Sequence, residues 1–241
     1  MTKSKRNLLI ALFLLIVVLF FMKAPSPFPN KTAISTALGD SFQLDGPLKI
    51  NKPVFIDDQH AVVFFSANEK TDGMSFWKWN KFEWTMVSAE INSWCPKVWR
   101  INPSDVNSYY IIWNFGLENR YKKVNLYLLT RRNFMVSDGI ETYTPSVQLK
   151  TKLPIEKQTS GVMKLPEKML VYLKDEIKIQ HSNNTSIFNE HMPLHQFGWM
   201  GFDENGKRGI LNSSDGNRFG TGGEEPEDAV FLDPSELEEG N

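Results

Sequence analysis

Residues Leu8 to Met22 form an unbroken apolar run, with Lys3, Lys5 and Arg6 before it and Lys23 after it. A soluble core helix shows some polar face, and this run shows none. As a helix its fifteen residues would be about 22 Å long. That is short of the roughly 30 Å of a bilayer core and at the upper limit of a signal-peptide core. Asn7, Lys23 and Ala24 can extend the helix, with the lysine reaching the headgroups. Ala24-Pro25-Ser26 has the small residues of a cleavage site, but Pro27 follows and should hinder a peptidase. The sequence therefore predicts a signal anchor over residues 1–23, one N-terminal transmembrane helix, with secretion after cleavage as the alternative. The bases ahead of the run put that end in the cytoplasm and the remainder of the chain outside it.

Residues 24–38 are rich in Pro, Ser, Thr and Ala and read as an extended linker. Beyond them, short β-type runs recur at 54–56, 61–66, 74–79, 82–87, 97–101, 109–113, 124–130, 147–152, 169–172, 176–181 and 198–202. Turn residues separate them, as in Asn51-Lys52-Pro53, Thr71-Asp72-Gly73, Ser137-Asp138-Gly139 and Asp203-Glu204-Asn205-Gly206. Many short strands punctuated in this way predict an all-β extracytoplasmic domain over residues 39–215, with antiparallel sheets in a sandwich-like or irregular partial-propeller arrangement. No long stretch shows apolar residues at helical spacing. Runs 61–65 and 109–113 are almost wholly apolar and predict strands buried on both faces.

Charge is unevenly spread. The tail from Gly223 carries eight acids and no base, whereas the other 222 residues carry 27 bases and 20 acids. That modest excess, four bases of which flank the anchor, is no nucleic-acid footprint. Residues 216–241 read as a disordered acidic tail. Arg120, Lys122, Lys123, Arg131 and Arg132 form a basic neighbourhood that reads as solvated flanks, or as a dock for that tail or for an anionic surface polymer. The single cysteine, Cys95 between Trp94 and Pro96, excludes an internal disulfide framework and reads as a small packed hydrophobe.

The densest feature is the aromatic stretch from Phe76 to Trp84. A two-residue Asn80-Lys81 turn would set Trp79 opposite Phe82, Lys78 opposite Glu83 and Trp77 opposite Trp84. Such a turn wants glycine where Lys81 stands, and a longer loop would shift the register. Two readings follow for Trp77, Trp79 and Trp84. One is an aromatic core. The other is an exposed platform that binds a carbohydrate or a partner protein.

Catalytic signatures are lacking: no nucleophile elbow, P-loop or dinucleotide fingerprint occurs. Asp57-Asp58-Gln59-His60 is an acidic turn that reads as a solvated loop. His181, His191 and His195 fall within fifteen residues, together with Glu190. Glu190, His191 and His195 have the donor types zinc accepts, but Pro193 rules out a helical zinc-protease motif, and a solvated loop with ordinary histidines reads more simply. No cofactor is expected. The expected role is binding: a single-pass membrane protein, held by Leu8 to Met22, whose β-rich domain engages a partner or surface ligand. The alternatives are a metal-assisted hydrolase using the region from His181 to His195, and a structural subunit of a membrane complex with the acidic tail as its contact.

Overall fold

The computed structural model describes residues 3–23, 26–44, 46–67, 71–116, 121–137, 139–182, 195–209, 216–222 and 225–238. In chain order it holds helices α1 (Lys3–Lys23) and α2 (Lys31–Phe42) and strands β1 (Leu48–Ile50), β2 (Val54–Phe55), β3 (His60–Ala67), β4 (Thr71–Asn80) and β5 (Glu83–Ile91). Next come β6 (Lys97–Arg100), β7 (Tyr109–Asn114), β8 (Lys123–Thr130), the ribbon β9 (Asn133–Ser137) and β10 (Ile140–Thr144), then β11 (Val147–Leu153) and β12 (Ser160–Lys164). Helix α3 (Glu167–Ser182) precedes β13 (His195–Phe202), β14 (Asn217–Gly220), β15 (Glu227–Asp228) and β16 (Val230–Phe231). The fold is mostly β, but with 24% helix against 44% strand it is not all-β. Among the described residues, three larger antiparallel or mixed sheets accompany the two-stranded ribbon. Contacts divide the chain into two compact units, Met1–Ile91 with Asn217–Gly222 and Asn92–Gly216 with Gly223–Asn241.

In the first unit β1, β3, β4, β5 and β14 follow one another across an antiparallel sheet, and β2 pairs with β3. Asn80 faces Glu83 and Trp79 faces Trp84, so the turn is Lys81-Phe82 rather than Asn80-Lys81. This corrects the expected register. Lys81 itself supplies the positive φ, at 61°, and the shift brings two indoles together while Phe82 stays outside. Between Phe76 and Trp77 the register slips by one residue, leaving Val87 as a bulge between Met86 and Ser88. A bulge lets residues three apart share a face. Met86 and Trp84 thereby join Ala89 and Ile91 beside Trp77, Trp79, Ala61, Val63 and Phe65 in one core cluster.

Helix α2 covers this cluster with Ile34 and Leu38, one turn apart. Asn30 caps it by accepting the Ala33 N–H at 2.9 Å, and Gln43 ends it in the left-handed region, donating to Gly39 O. Half of the expected linker is therefore helix. Its Ser and Thr content hid a cap and an i, i+4 apolar pair. As expected, β3 is buried on both faces, with Ala61 to Phe65 all buried.

In the second unit two four-stranded sheets, β12–β7–β6–β15 and β11–β8–β13–β16, contribute to one core. Val98, Ile111 and Trp113 come from the first, Leu126, Leu128, Phe197 and Trp199 from the second, and Met169, Leu170 and Leu173 from α3. Runs 169–172 and 176–181, expected as strands, are this single helix. The tail also departs from expectation, because β14 pairs with β5, β15 with β6 and β16 runs parallel to β13. Ala229 and Leu232, on either side of β16, are buried. Apolar residues spaced among the acids give the segment something to bury.

Among the described residues no helix is long and apolar enough to cross a membrane. The backbone of α1 is helical for 21 residues, and its side chains are described from Ser4 to Val18.

Candidate functional site

Tryptophans expected as a possible platform lie in the core. Trp77, Trp79 and Trp84 are 3%, 5% and 9% exposed, and a platform has to offer ring faces to solvent. Phe28 lies edge-on to Trp84 and Trp77, with centroids 4.9 and 5.7 Å away, and to Phe55 at 5.3 Å. The Trp84 Nε1–H donates to Ser26 O at 3.1 Å. The segment ahead of α2 is thus fixed over the tryptophans, and the aromatic-core reading fits this geometry.

The most concentrated polar chemistry lies in the second unit, where α3 meets the β8–β13 pair. Residues four apart share a helix face, so Tyr172 and Glu176 point the same way. They meet two cross-strand neighbours, Thr130 on β8 and His195 on β13. The Tyr172 and Thr130 hydroxyls are 2.5 Å apart. His195 Nδ1 is 2.8 Å from Glu176 Oε2, and the Glu176 side chain is 5% exposed. The imidazole also stands edge-on to Phe197, whose ring lies 6.1 Å from Tyr109. Arg100 sits over the Tyr109 ring at 5.4 Å.

Burial sets the electrostatics here. It pushes the Tyr172 phenol up, against the Thr130 hydrogen bond that lowers it, and Glu176 raises it further. Burial likewise raises Tyr109, against the pull of the Arg100 guanidinium. Both phenols stay protonated through the neutral range. A carboxylate at Nδ1 fixes the ring orientation of a histidine, as it does for metal-binding or proton-transferring histidines. Of the suggested metal ligands, Glu190 and His191 lie outside the described residues, as does the side chain of His181. Among the described residues no three His, Cys, Asp or Glu side chains converge on one point.

Glu176 was not flagged by the sequence, although His195 was. Its signal was an acid on the apolar stripe of α3, one turn from Tyr172 and on the face of Met169 and Leu173.

The basic neighbourhood meets the tail. Arg131 is 2.8 Å from Glu236 and Arg132 is 3.7 Å from Glu238, whereas Arg120 lies outside the described residues. Lys122 and Lys123 turn to Phe202 instead, through a backbone bond and the Phe202 ring. Arg208 lies over the Phe231 ring at 4.7 Å, donates to Leu232 O and reaches Asp233 at 3.2 Å. Lys97, 1% exposed, holds Asp228. Cys95 packs against the core and lies 3.5 Å from the Ser93 hydroxyl. Asp57 is engaged by His60 and by the Gln59 N–H.

Comparison with known proteins finds no match among protein families, curated proteins or solved structures.

Proposed function

We propose that this chain is a single-pass membrane protein whose β-rich part lies outside the cytoplasm and binds a partner protein. One observation carries the reading: the apolar side chains described on α1 from Leu8 to Val18 are exposed on all sides of the helix but for Val17. From Ser4 to Val18 every side chain but Val17 is exposed, and Leu8 and Phe13 are 71% and 65% exposed. At about 3.6 residues per turn such a helix has no face left for water. The 21-residue helix would be about 31 Å long, of which the apolar run makes about 22 Å, so the reading needs Lys23 to reach the headgroups from the end of the helix. The bases before it support a cytoplasmic N-terminal side.

The β9–β10 ribbon supports partner binding. Phe134 and Tyr143 are cross-strand neighbours, and with Val136 they are exposed. A two-stranded ribbon bearing uncovered aromatics is marginal in water by itself and gains by being covered. The tail fits the contact role less well, since Asp228, Asp233, Glu236 and Glu238 already meet bases of their own unit. The sandwich-like reading of the second unit draws support from the core its two sheets share.

Crosslinked pull-down from membranes tests the proposal, with full-length protein, an anchor-deleted form and the double variant Phe134→Ser, Tyr143→Ser. One reproducible protein set, lost in both altered forms, is expected. The same set recovered with the double variant rules out the ribbon, and no set from the full-length protein rules out partner binding.

A second reading, a metal-assisted hydrolase, draws on the Glu176–His195 pair. It requires stoichiometric zinc in the purified full chain, and a metal-free protein that ignores added zinc ends it.

A further inference from the structure

The segment between α1 and α2 sets how far the first unit can stand from the end of α1. Ser26 O is held by the Trp84 indole, and Phe28 is wedged among Phe55, Trp77 and Trp84. Lys23 ends α1, so three Cα–Cα steps separate it from Ser26. At 3.8 Å each they span at most about 11 Å. If α1 ends at the headgroups, as the anchor reading requires, the Trp84 corner of the sheet is held within a headgroup layer's depth of the hydrocarbon.

That same corner exposes aromatic rings. Phe82, in the β4–β5 turn, is 68% exposed, and Phe55, whose ring lies 6.0 Å from Trp84, is 53% exposed. Trp79 N–H donates to Gln59 O, which ties the 56–59 turn to the same end of the sheet. We infer that the corner formed by Phe55 and Phe82 is seated in the lipid interface beside the anchor, orienting the first unit on the membrane. Interfacial aromatics bury ring area among headgroups and upper acyl chains. Within three residues of Phe55 and Phe82 the exposed charges are Lys52 and Lys81 against Asp57, Asp58 and Glu83. The corner has no excess of base, so the seat is apolar and neutral lipid suffices.

This inference rests on the anchor reading, and one experiment separates the two. The full chain, with Cys95→Ser, carries one environment-sensitive dye at Leu14→Cys, Glu83→Cys or Lys49→Cys. Each form is reconstituted into phosphatidylcholine vesicles containing nitroxide lipids. Lys49 lies level with Asp72, through Ser66. Eight residues of β4, roughly 26 Å, then separate it from Asn80, the partner of Glu83. The dye at Leu14 is expected to be quenched by acyl-chain nitroxide, and the dye at Glu83 several-fold more by headgroup nitroxide than the dye at Lys49. Adding Phe55→Ser and Phe82→Ser is expected to bring Glu83 down to the Lys49 level. Quenching at Leu14 with Glu83 no higher than Lys49 overturns the seating and leaves the anchor standing. No quenching at Leu14 overturns both. Quenching at Glu83 that appears only with added phosphatidylserine overturns the apolar seat.

Discussion

Lys81 shows how one residue sets a register. It sits at φ 61°, a conformation that costs a residue with a Cβ about 1–2 kcal/mol. Pairing Trp79 with Trp84, centroids 6.0 Å apart, offsets part of that cost. Lys81→Gly is therefore expected to stabilise the protein by roughly 0.5–1 kcal/mol, read as a higher urea midpoint at unchanged slope. Glu176 makes the opposite case. Removing one partner of a buried hydrogen bond leaves the other unsatisfied and costs about 1–3 kcal/mol, so Glu176→Ala should fall in that range by urea unfolding. Glu176→Leu with His195→Phe should cost much less, and equal losses would refute the pairing. Asp233 carries the pH dependence. The Ser235 hydroxyl and N–H, then Arg208, hold its carboxyl down to about 2 from the usual 3.8. A lowered carboxyl stabilises the fold above its unfolded pKa and loses that contribution as pH falls through its folded one. The stability gap between wild type and Asp233→Asn should hence be constant above about pH 4 and close between there and pH 2.

Elements held by long-range contacts are the ones the sequence hid. The strands from β2 to β8 were legible, because apolar and aromatic runs broken by turn residues mark buried strands. Helix α3 was not. Glu176 interrupts its apolar face, and the partner that lets it be buried lies 19 residues on, while Val171 adds an exposed apolar residue on the other side. Strands β15 and β16 are two residues each, too short for any period, and acids surround them. What holds them is tertiary. β15 extends one sheet of the second unit and β16 the other, so the tail closes an edge of each. The order of energies follows. Leu232→Ala, at a fully buried position, should cost about 2–5 kcal/mol. Arg208→Ala should cost roughly 2 kcal/mol through its ring and carbonyl contacts. Arg131→Ala with Arg132→Ala, at exposed pairs, should cost less than about 1 kcal/mol per pair. Chemical denaturation of the four proteins reads that order, and an arginine pair outranking Leu232 would show that the tail is held by charge.

For the whole molecule, the cores of the two units and the helix α1 of the first present apolar surface in different ways. Each unit has its own core, built on Trp77, Trp79 and Trp84 in the first and on Trp113 and Trp199 in the second. Of the described side chains of α1, Leu8, Leu9, Leu12, Phe13, Leu14 and Leu15 stay uncovered. At about 25 cal/mol per Å² an uncovered helix of this kind leaves a large driving force for burial, which lipid would satisfy in the proposed anchor. The limit of about 11 Å between Lys23 and Ser26 then keeps the Trp84 corner of the first unit close to whatever covers the end of α1. Full-length protein is accordingly expected to stay in the membrane pellet through washes at alkaline pH and high salt, and to leave it only with detergent. Leu12→Lys with Ile16→Lys puts two charges near the middle of the helix, at about 2.5–3.5 kcal/mol each by insertion scales. That variant should move to the wash supernatant while the two cores keep their tryptophan fluorescence. Release of the unaltered protein by the alkaline wash would mean that another surface, not a bilayer, covers α1.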